Sequence, residues 1–214
     1  MIELFQRGGI MMYPLLLTSL VALAFIIERA ILLRKKKVLI PEITSVVNNF
    51  SSLKDIDLAS TICEKYEGPL PNIIKIGLKN YDLPKSEIKD ILEDQGRQEI
   101  RKLEKGLVVL ETSASIAPLL GLLGTVIGMV EVFAVIKDQG IGQTAALSGG
   151  ISQALLTTVT GLFIGIPVLI AYNFFTNKAE GLVLDIEKYT NDLIQKIVNI
   201  KKSEQQTQPA QSQK

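Results

Sequence analysis

Hydrophobic and polar positions form long alternating blocks along this chain, and three of the blocks are almost entirely apolar. They cover residues 10–33, 106–136 and 144–177. At ~1.5 Å per helical residue, each block is long enough to cross a hydrocarbon core of ~30 Å. The pattern therefore predicts an all-α integral membrane protein with three transmembrane helices.

The polar segments on either side of these blocks also carry helical periodicity. Residues 34–105 form a polar helical region that runs directly into the second apolar block. After the third block, apolar residues recur every three or four positions, which predicts an amphipathic helix over 178–200. We therefore expect the second and third helices to be long and to extend beyond the membrane. Residues 201–214 contain a single hydrophobic residue, Ala210, and this composition is typical of a disordered tail.

The first apolar block also has to be weighed against a cleaved signal peptide, because Ala22-Leu23-Ala24 resembles a small-residue cleavage site. The preceding residues do not form a basic n-region, and the apolar run continues through Phe25, Ile26 and Ile27 into a basic cluster. These features favour a retained transmembrane helix preceded by a short periplasmic segment, residues 1–9.

Lysines and arginines are distributed unevenly around the three blocks. Arg34, Lys35, Lys36 and Lys37 follow the first block, and a second basic group precedes the second block. The connection 137–143 carries only Lys137, beside an aspartate. By the positive-inside rule, the N-terminus and the loop 137–143 lie outside the cytoplasm and the C-terminus lies inside.

Composition narrows the classes of function. The chain has 214 residues, 47% of them hydrophobic, a mean hydropathy of +0.30 and a formal charge of +1. With one cysteine, Cys63, and no histidine, it has no intrachain disulfide and no histidine-ligated haem or zinc site. Phosphate-loop, HExxH and GxSxG motifs are absent from the sequence. We expect neither an enzyme nor a cofactor, a metal site or a nucleic-acid partner.

Polar residues within the second block lie on one helical face. Glu111, Ser115, Pro118 and Thr125 follow a spacing of three to four or twice that spacing. Because a carboxylate at the centre of a span costs ~2.5 to 3.5 kcal/mol, we expect Glu111 near the cytoplasmic boundary. Glu131 lies off this face, near the outer end. Pro118 is either a packing kink or a functional hinge.

The third block carries two polar strips and both membrane blocks carry closely spaced glycines. One strip holds Gln153, Thr157 and Thr160, and the other holds Thr158 and two glycines. In-span threonines often bond to their own helix, so for each one a local hydrogen bond and a role toward an occupant both remain open. Small residues four apart let helix backbones approach closely. The predicted packing positions are Gly121, Gly124, Gly128, Gly161, Gly165 and Pro118.

The segments Ala117-Pro118-Leu-Leu-Gly121-Leu-Leu-Gly124-Thr125-Val-Ile-Gly128 and Gly149-Gly150-Ile-Ser-Gln153-Ala-Leu-Leu-Thr157-Thr158-Val-Thr-Gly161 resemble the core helices of the ExbB/TolQ/MotA proton-channel subunits. The first helix, from Gly8-Gly9 to Glu28-Arg29, is similar to ExbB more than to MotA. The resemblance covers nearly the whole chain except the glutamine-rich tail.

This resemblance implies a multi-pass protein of the bacterial inner membrane that forms a ring, pentameric in ExbB. The ring would enclose the single-span helices of an ExbD/TolR-type dimer, work with a TonB- or TolA-like protein and contact membrane lipid. Thr125 and Thr158 would face an aspartate of the enclosed partner. The pore and proton-pathway candidates are Thr125, Thr158, Gln153, Thr157, Glu111 and Glu131.

One position departs from the family pattern, because ExbB and TolQ proteins carry a glutamate where this chain has Gln153. Either the relay runs through the partner's aspartate and water alone, or Glu131 or Glu111 substitutes; the first is favoured. The predicted function is a stator subunit that converts proton motive force into work for TonB-dependent outer-membrane transport. The alternatives are a TolQ-like subunit for envelope integrity, a motility motor subunit or a non-conducting scaffold. H⁺ and Na⁺ both remain open as the ion.

Overall fold

The computed structural model describes residues 8–140 and 144–207, and within these ranges the secondary structure is helical, without a strand. The helices, in chain order, are α1 Met12–Leu32, α2 Lys35–Val38, α3 Pro41–Asn49, α4 Ile56–Glu64, α5 Pro69–Lys79, α6 Lys85–Glu104, α7 Leu107–Gln139 and α8 Thr144–Thr207. A short 3₁₀ turn, Leu53–Asp55, precedes α4.

The all-α class and the three long apolar helices predicted from the sequence are confirmed. Three stretches are long and apolar enough to cross a membrane: Met12–Leu32, Lys85–Asp138 and Leu147–Ser203. Parts of the predicted N-terminal segment 1–9, of the loop 137–143 and of the tail 201–214 lie outside the described residues, at 1–7, 141–143 and 208–214.

Helix α8 continues to Thr207 and so includes the first seven residues of the segment 201–214, for which the sequence predicts a disordered tail. The polar composition of this segment does not prevent helix formation, since the preceding turns are packed and its first residue is anchored. The Lys201 ammonium donates a hydrogen bond to the backbone carbonyl of Leu83 at 3.0 Å. A contact made far along the chain therefore extends the helix.

The second long helical stretch is interrupted only at Lys105 and Gly106, which separate α6 from α7. Both residues keep right-handed helical backbone angles, and the amide of Lys105 donates to Arg101 O at 3.0 Å. Gly106 leaves room for a side chain of α1, since a Cβ there would lie 2.6 Å from Nε of Arg29. The expected long second helix is thus present as α6 and α7, which are separated by the two residues Lys105 and Gly106.

The chain divides into two units, each described here by itself. The apolar unit comprises Met1–Ala30 and Gly106–Thr176, and the polar unit comprises Ile31–Lys105 and Asn177–Lys214. Many large hydrophobic side chains of the apolar unit are exposed, among them Phe163 at 79%. Such an apolar surface suits lipid or a partner protein and not water.

Glycines bring α7 and α8 into backbone contact within the apolar unit. A Cβ on Gly161 would lie 2.5 Å from Ala117 O and 3.0 Å from the Cα of Gly121. A Cβ on Gly121 would lie 2.9 Å from Thr157 O. Since real Cβ atoms do not approach other atoms this closely, both positions require glycine for this packing.

The same contact extends along both helices in antiparallel order. Gly124 faces Thr157, and a Cβ on Gly128 would lie 2.8 Å from that of Ala154. In the other direction, a Cβ on Gly165 would lie 2.8 Å from the ring of Pro118. All six positions predicted to serve helix packing therefore lie along this one contact, and Pro118 takes part in it as a packing residue.

The polar unit is a helical bundle with its own apolar core. The C-terminal part of α8 contributes a buried stripe that includes Leu182, Ile186, Leu193 and Ile197. Pro41 and Pro69 occupy the first positions of α3 and α5, where the missing amide hydrogen costs no helical bond. The core also contains Cys63, which is 2% exposed, and burial raises the pKa of its thiol to about 11.

The buried carboxylate of Glu99 accepts three side-chain hydrogen bonds within the polar unit. Glu99 of α6 is 2% exposed, and its Oε1 accepts from Asn72 Nδ2 at 3.1 Å, Gln95 Nε2 at 3.0 Å and Lys102 Nζ at 2.8 Å. Asn72 lies on α5, so this group joins two helices. Three donors offset much of the cost of burying the carboxylate.

We expect Gly161→Ala to lower the free energy of unfolding by about 1–3 kcal/mol, since the added methyl overpacks the contact of α7 with α8. Gly181→Ala is the matched control on α8, because a Cβ there meets nothing within 4 Å. It should be neutral or stabilising by up to about 1 kcal/mol. Thermal unfolding of the purified protein in detergent, followed by circular dichroism, compares the two. Equal stability of both variants would contradict the glycine contact.

We expect Glu99→Ala to destabilise the polar unit by about 1–3 kcal/mol, because three donors lose their acceptor. Glu104→Ala, an exposed position at the end of the same helix, should change stability by less than about 0.5 kcal/mol. Limited proteolysis of the polar unit over a denaturant series measures the difference. A Glu99→Ala protein as resistant as the Glu104→Ala protein would show that the buried carboxylate is dispensable.

Candidate functional site

The candidate site lies on the apolar unit, where threonine hydroxyls border the glycine contact of α7 and α8. The Gly121 carbonyl is the centre of this group. In α7 it accepts the helical bond from the amide of Thr125, by the usual pairing of residues four apart. It also accepts a bond from Thr158 Oγ1 of α8 at 3.0 Å and a longer one from Thr157 Oγ1 at 3.4 Å.

Thr158 uses its hydroxyl between helices and not within its own. Its bond to Gly121 O crosses from α8 to α7, and the residue remains half-buried. The glycine makes this possible, since a Cβ on Gly121 would lie 3.0 Å from the Cα of Thr158. Hydrogen bonds between membrane helices contribute ~0.6 kcal/mol on average. The hydroxyl thus helps to hold the pair together and keeps an accessible edge.

Thr157 has a different environment from its neighbour. It is 1% exposed and faces the bare backbone of Gly124, and its hydroxyl donates to Ala154 O at 2.7 Å. Within this chain Thr157 is therefore a packing residue of the contact of α7 with α8. Thr157 is one of the predicted pore or proton-pathway residues, but its side chain reaches no open surface of this chain. Because Gly124 on the facing helix has no side chain, Thr157 packs into the contact.

Thr125 lies one helical turn beyond Gly121, on the same edge of α7 as the acceptor of Thr158. Its hydroxyl donates to Leu122 O at 2.6 Å, and the residue is half-buried among exposed apolar neighbours such as Val126. Thr125 of α7 and Thr158 of α8 therefore both lie within one helical turn of the Gly121 carbonyl, and both are half-buried. They are the polar groups that an occupant of this apolar surface would meet there.

The two candidate carboxylates are not part of this threonine group. Glu111 lies in the second turn of α7, and Glu131 lies within three turns of its C-terminal end. Both are exposed, and no ion pair or hydrogen bond of their side chains occurs within the described part of the chain. Neither carboxylate is brought to Thr125 or Thr158 by the fold of α7.

Gln153 lies beside the start of the first helix. It is half-buried, and its amide group occupies the space where a Cβ on Gly9 would be. Gly9 has a positive φ of 69°, a conformation that favours glycine. Gln153 therefore contacts the turn before α1, while its neighbour Ala154 packs against Gly128. The glutamine is one turn away from Thr157 along α8 and does not join Thr125 and Thr158.

Sequence reasoning overlooked Arg29 as an individual residue. It lies in the last turn of α1, is 4% exposed and places its guanidinium beside Gly106, while Nη2 pairs with Glu28 Oε1 at 3.0 Å. An arginine at the end of an apolar helix together with a single glycine before the next apolar helix could have suggested this pairing. Among the residues at 8–140 and 144–207, no cluster of acidic, cysteine or histidine side chains is arranged to hold a metal ion.

Comparison with known proteins agrees with these features. The model of the MotA/TolQ/ExbB proton channel family matches residues 65–188. A biopolymer transport ExbB homolog of Methanothermobacter thermautotrophicus is 30% identical over 200 residues, which is 92% of this chain and 69% of that protein. The biopolymer transport protein ExbB of Aquifex aeolicus is 35% identical over 114 residues, which is 53% of this chain and 76% of that protein.

ExbB of Neisseria gonorrhoeae is 35% identical over 106 residues, and the match covers 50% of this chain and 48% of that protein. This match spans about half of each protein, whereas the archaeal match takes in most of both. Together with three apolar helices, the glycine contact and the family match over more than half of its length, these similarities identify the chain as a multi-pass membrane protein that belongs to the MotA/TolQ/ExbB proton channel family.

Proposed function

We propose that this chain is the wall-forming subunit of a proton-driven motor that energises TonB-dependent transport across an outer membrane. In this proposal α7 and α8 line a pore that holds the single-span helices of an ExbD/TolR-type dimer. The observation that carries it is that Thr158 of α8 donates to the Gly121 carbonyl while Thr125 lies one turn from Gly121 along α7, with both residues half-buried. Among the exposed apolar side chains of this unit, the two half-buried hydroxyls are suited to face a polar group of an occupant.

The chemistry of the two hydroxyls supports a role as hydrogen-bonding partners and not as titrating groups. A threonine hydroxyl donates one hydrogen and retains lone pairs that accept. While Thr158 donates to Gly121 O, its oxygen can still accept from water or from a protonated carboxyl group. In our proposal the partner's aspartate carries the proton, and Thr125 and Thr158 orient that aspartate and the water beside it.

Gln153 is assigned a place outside the proton relay. Its contact with Gly9 directs it to the start of α1, and an amide does not titrate. Glu131 and Glu111 are assigned to the two membrane boundaries, where solvent lowers the cost of their charges. The relay then runs through the partner's aspartate and water, and protons falling through 100 mV supply ~2.3 kcal/mol each.

The proposed assembly is a ring, with five copies as the expected number, in the bacterial inner membrane. The N-terminus and the connection between α7 and α8 would face the periplasm, and the polar unit would lie in the cytoplasm. Support comes from the basic segment after α1 and from the exposed apolar side chains of the apolar unit, which need lipid, a neighbouring copy or the enclosed partner around them. The relatives' names speak of biopolymer transport, which favours the TonB-linked role.

A second candidate, a scaffold that does not conduct, is favoured by one specific observation. The hydroxyls of Thr157, Thr158 and Thr125 all have acceptors within this chain. In a scaffold these bonds would be their whole purpose. A TolQ-like or motility role is a third possibility, in which the same pore drives another load chosen by the partner's periplasmic domain.

We expect Thr125→Val and Thr158→Val each to reduce proton flux by on the order of tenfold, the cost of one hydrogen bond of about 1–1.5 kcal/mol in the ion path. The measurement is acidification of liposomes that contain the subunit co-purified with its single-span partner. Running the assay with a Na⁺ gradient in place of the H⁺ gradient identifies the ion.

Thr112→Val is the matched control, because Thr112 donates to Val108 O at 2.7 Å and is exposed in the first turns of α7, far along the helix from Thr125. Its flux should equal that of the unmodified protein. Wild-type flux in both the Thr125 and the Thr158 variants would rule out the pore assignment. A complete absence of flux in the unmodified complex would favour the scaffold.

A further inference from the structure

The segment that follows α1 is an exposed run of cations, Arg34, Lys35, Lys36 and Lys37. The short helix α2 contains the three lysines of this run and ends at Val38, which is 1% exposed. Burial of Val38 and the residues after it holds the segment against the core of the polar unit. The four charged side chains are left in solvent, on a backbone that is fixed.

Most of this charge is not neutralised by the protein itself. Lys35 pairs with Asp185 at 2.9 Å, and both side chains remain substantially exposed. Arg34, Lys36 and Lys37 form no ion pair within the part of the chain that the structure describes. Three neighbouring cations without acidic partners repel each other, so an external anion would stabilise them.

The end of α1 supplies the apolar half of a lipid-binding surface. Ile31 is 47% exposed, and the cationic run begins three residues after it. An exposed isoleucine suits acyl chains, whereas the exposed cations that follow it suit phosphate. A nucleic acid or an acidic soluble protein would use the charges and would leave the isoleucine without a partner.

We propose that Arg34, Lys36 and Lys37 bind the phosphate groups of anionic phospholipids at the membrane surface next to the end of α1. The shared chemistry is that of a phosphate monoanion, and the source is the bilayer lipid, because the cations follow directly on an apolar helix with exposed side chains. This inference depends on the membrane location of the chain and not on proton conduction or on the identity of its partner.

The test uses the full-length protein in an uncharged detergent, titrated with acyl-labelled phosphatidylglycerol and, separately, with acyl-labelled phosphatidylcholine. We expect tighter binding of phosphatidylglycerol and an affinity that falls with salt. Each cation is expected to raise the affinity for the anionic lipid about fivefold. The triple variant Arg34→Gln, Lys36→Gln, Lys37→Gln should therefore bind phosphatidylglycerol on the order of a hundredfold more weakly.

The matched control removes three exposed lysines of the same polar unit that form no ion pair in the described residues: Lys54→Gln, Lys65→Gln, Lys85→Gln. It lowers the net charge by the same amount and should keep the unmodified affinity. An equal loss in this control, or no loss in the Arg34, Lys36, Lys37 variant, would overturn the proposal. Equal affinity for the two lipids would do the same.

Two further arms distinguish the source of the phosphate and guard against a misfolded variant. Inorganic phosphate at the concentration of the lipid should not displace phosphatidylglycerol, and full displacement would assign the cations to a soluble anion instead. The charge-conserving pair Lys36→Arg, Lys37→Arg should retain binding, whereas Lys36→Gln, Lys37→Gln should lose about twenty-fivefold. Equal affinity of these two pairs would contradict the proposal even if the triple variant did not fold.

Discussion

The backbone contact between α7 and α8 is the constraint on which the apolar unit depends. In a bilayer, lipid tails are as apolar as leucine, so two helices associate through close packing and hydrogen bonds. At Gly121 and Gly161 there are no side chains to separate the backbones, and the facing carbonyls and Cα atoms meet directly. The register of this contact decides which side chains are covered and which reach an open surface.

The two neighbouring threonines of α8 show how the register of this contact sets the environment of a side chain. Thr157 points at the bare backbone of Gly124 and is enclosed, whereas Thr158, one residue on, reaches the Gly121 carbonyl and stays half-buried. The two side chains leave α8 about 100° apart, so the register of the contact encloses one and leaves the other at its edge. The proposed pore chemistry of Thr158 is therefore a result of glycine placement, which also explains why hydroxyls and glycines occur side by side in both helices.

Much of the fold could be predicted from the sequence because its dominant patterns are local. The three apolar blocks, the amphipathic end of α8 and the small-residue spacing at Gly121, Gly124, Gly128, Gly161 and Gly165 need no knowledge of distant contacts. The environments of Thr157, Gln153 and Arg29 could not be predicted in this way. Each of them depends on a particular partner, Gly124, Gly9 or Gly106, that lies on another segment. The helix at residues 201–207 likewise follows a distant contact, since the carbonyl of Leu83 that accepts from Lys201 is more than a hundred residues away.

The Gly121 carbonyl has a mechanical consequence, because it receives hydrogen bonds from both helices at the point where their backbones touch. Sliding or twisting α8 against α7 would break the bond from Thr158 and would bring side chains against the backbone at places that now hold glycine. We therefore expect the two helices to move as one rigid pair over the middle of the apolar unit. In the proposed motor, a working stroke would then occur around such pairs, by turning of an enclosed partner or by tilting of neighbouring copies, and not by sliding of α8 along α7.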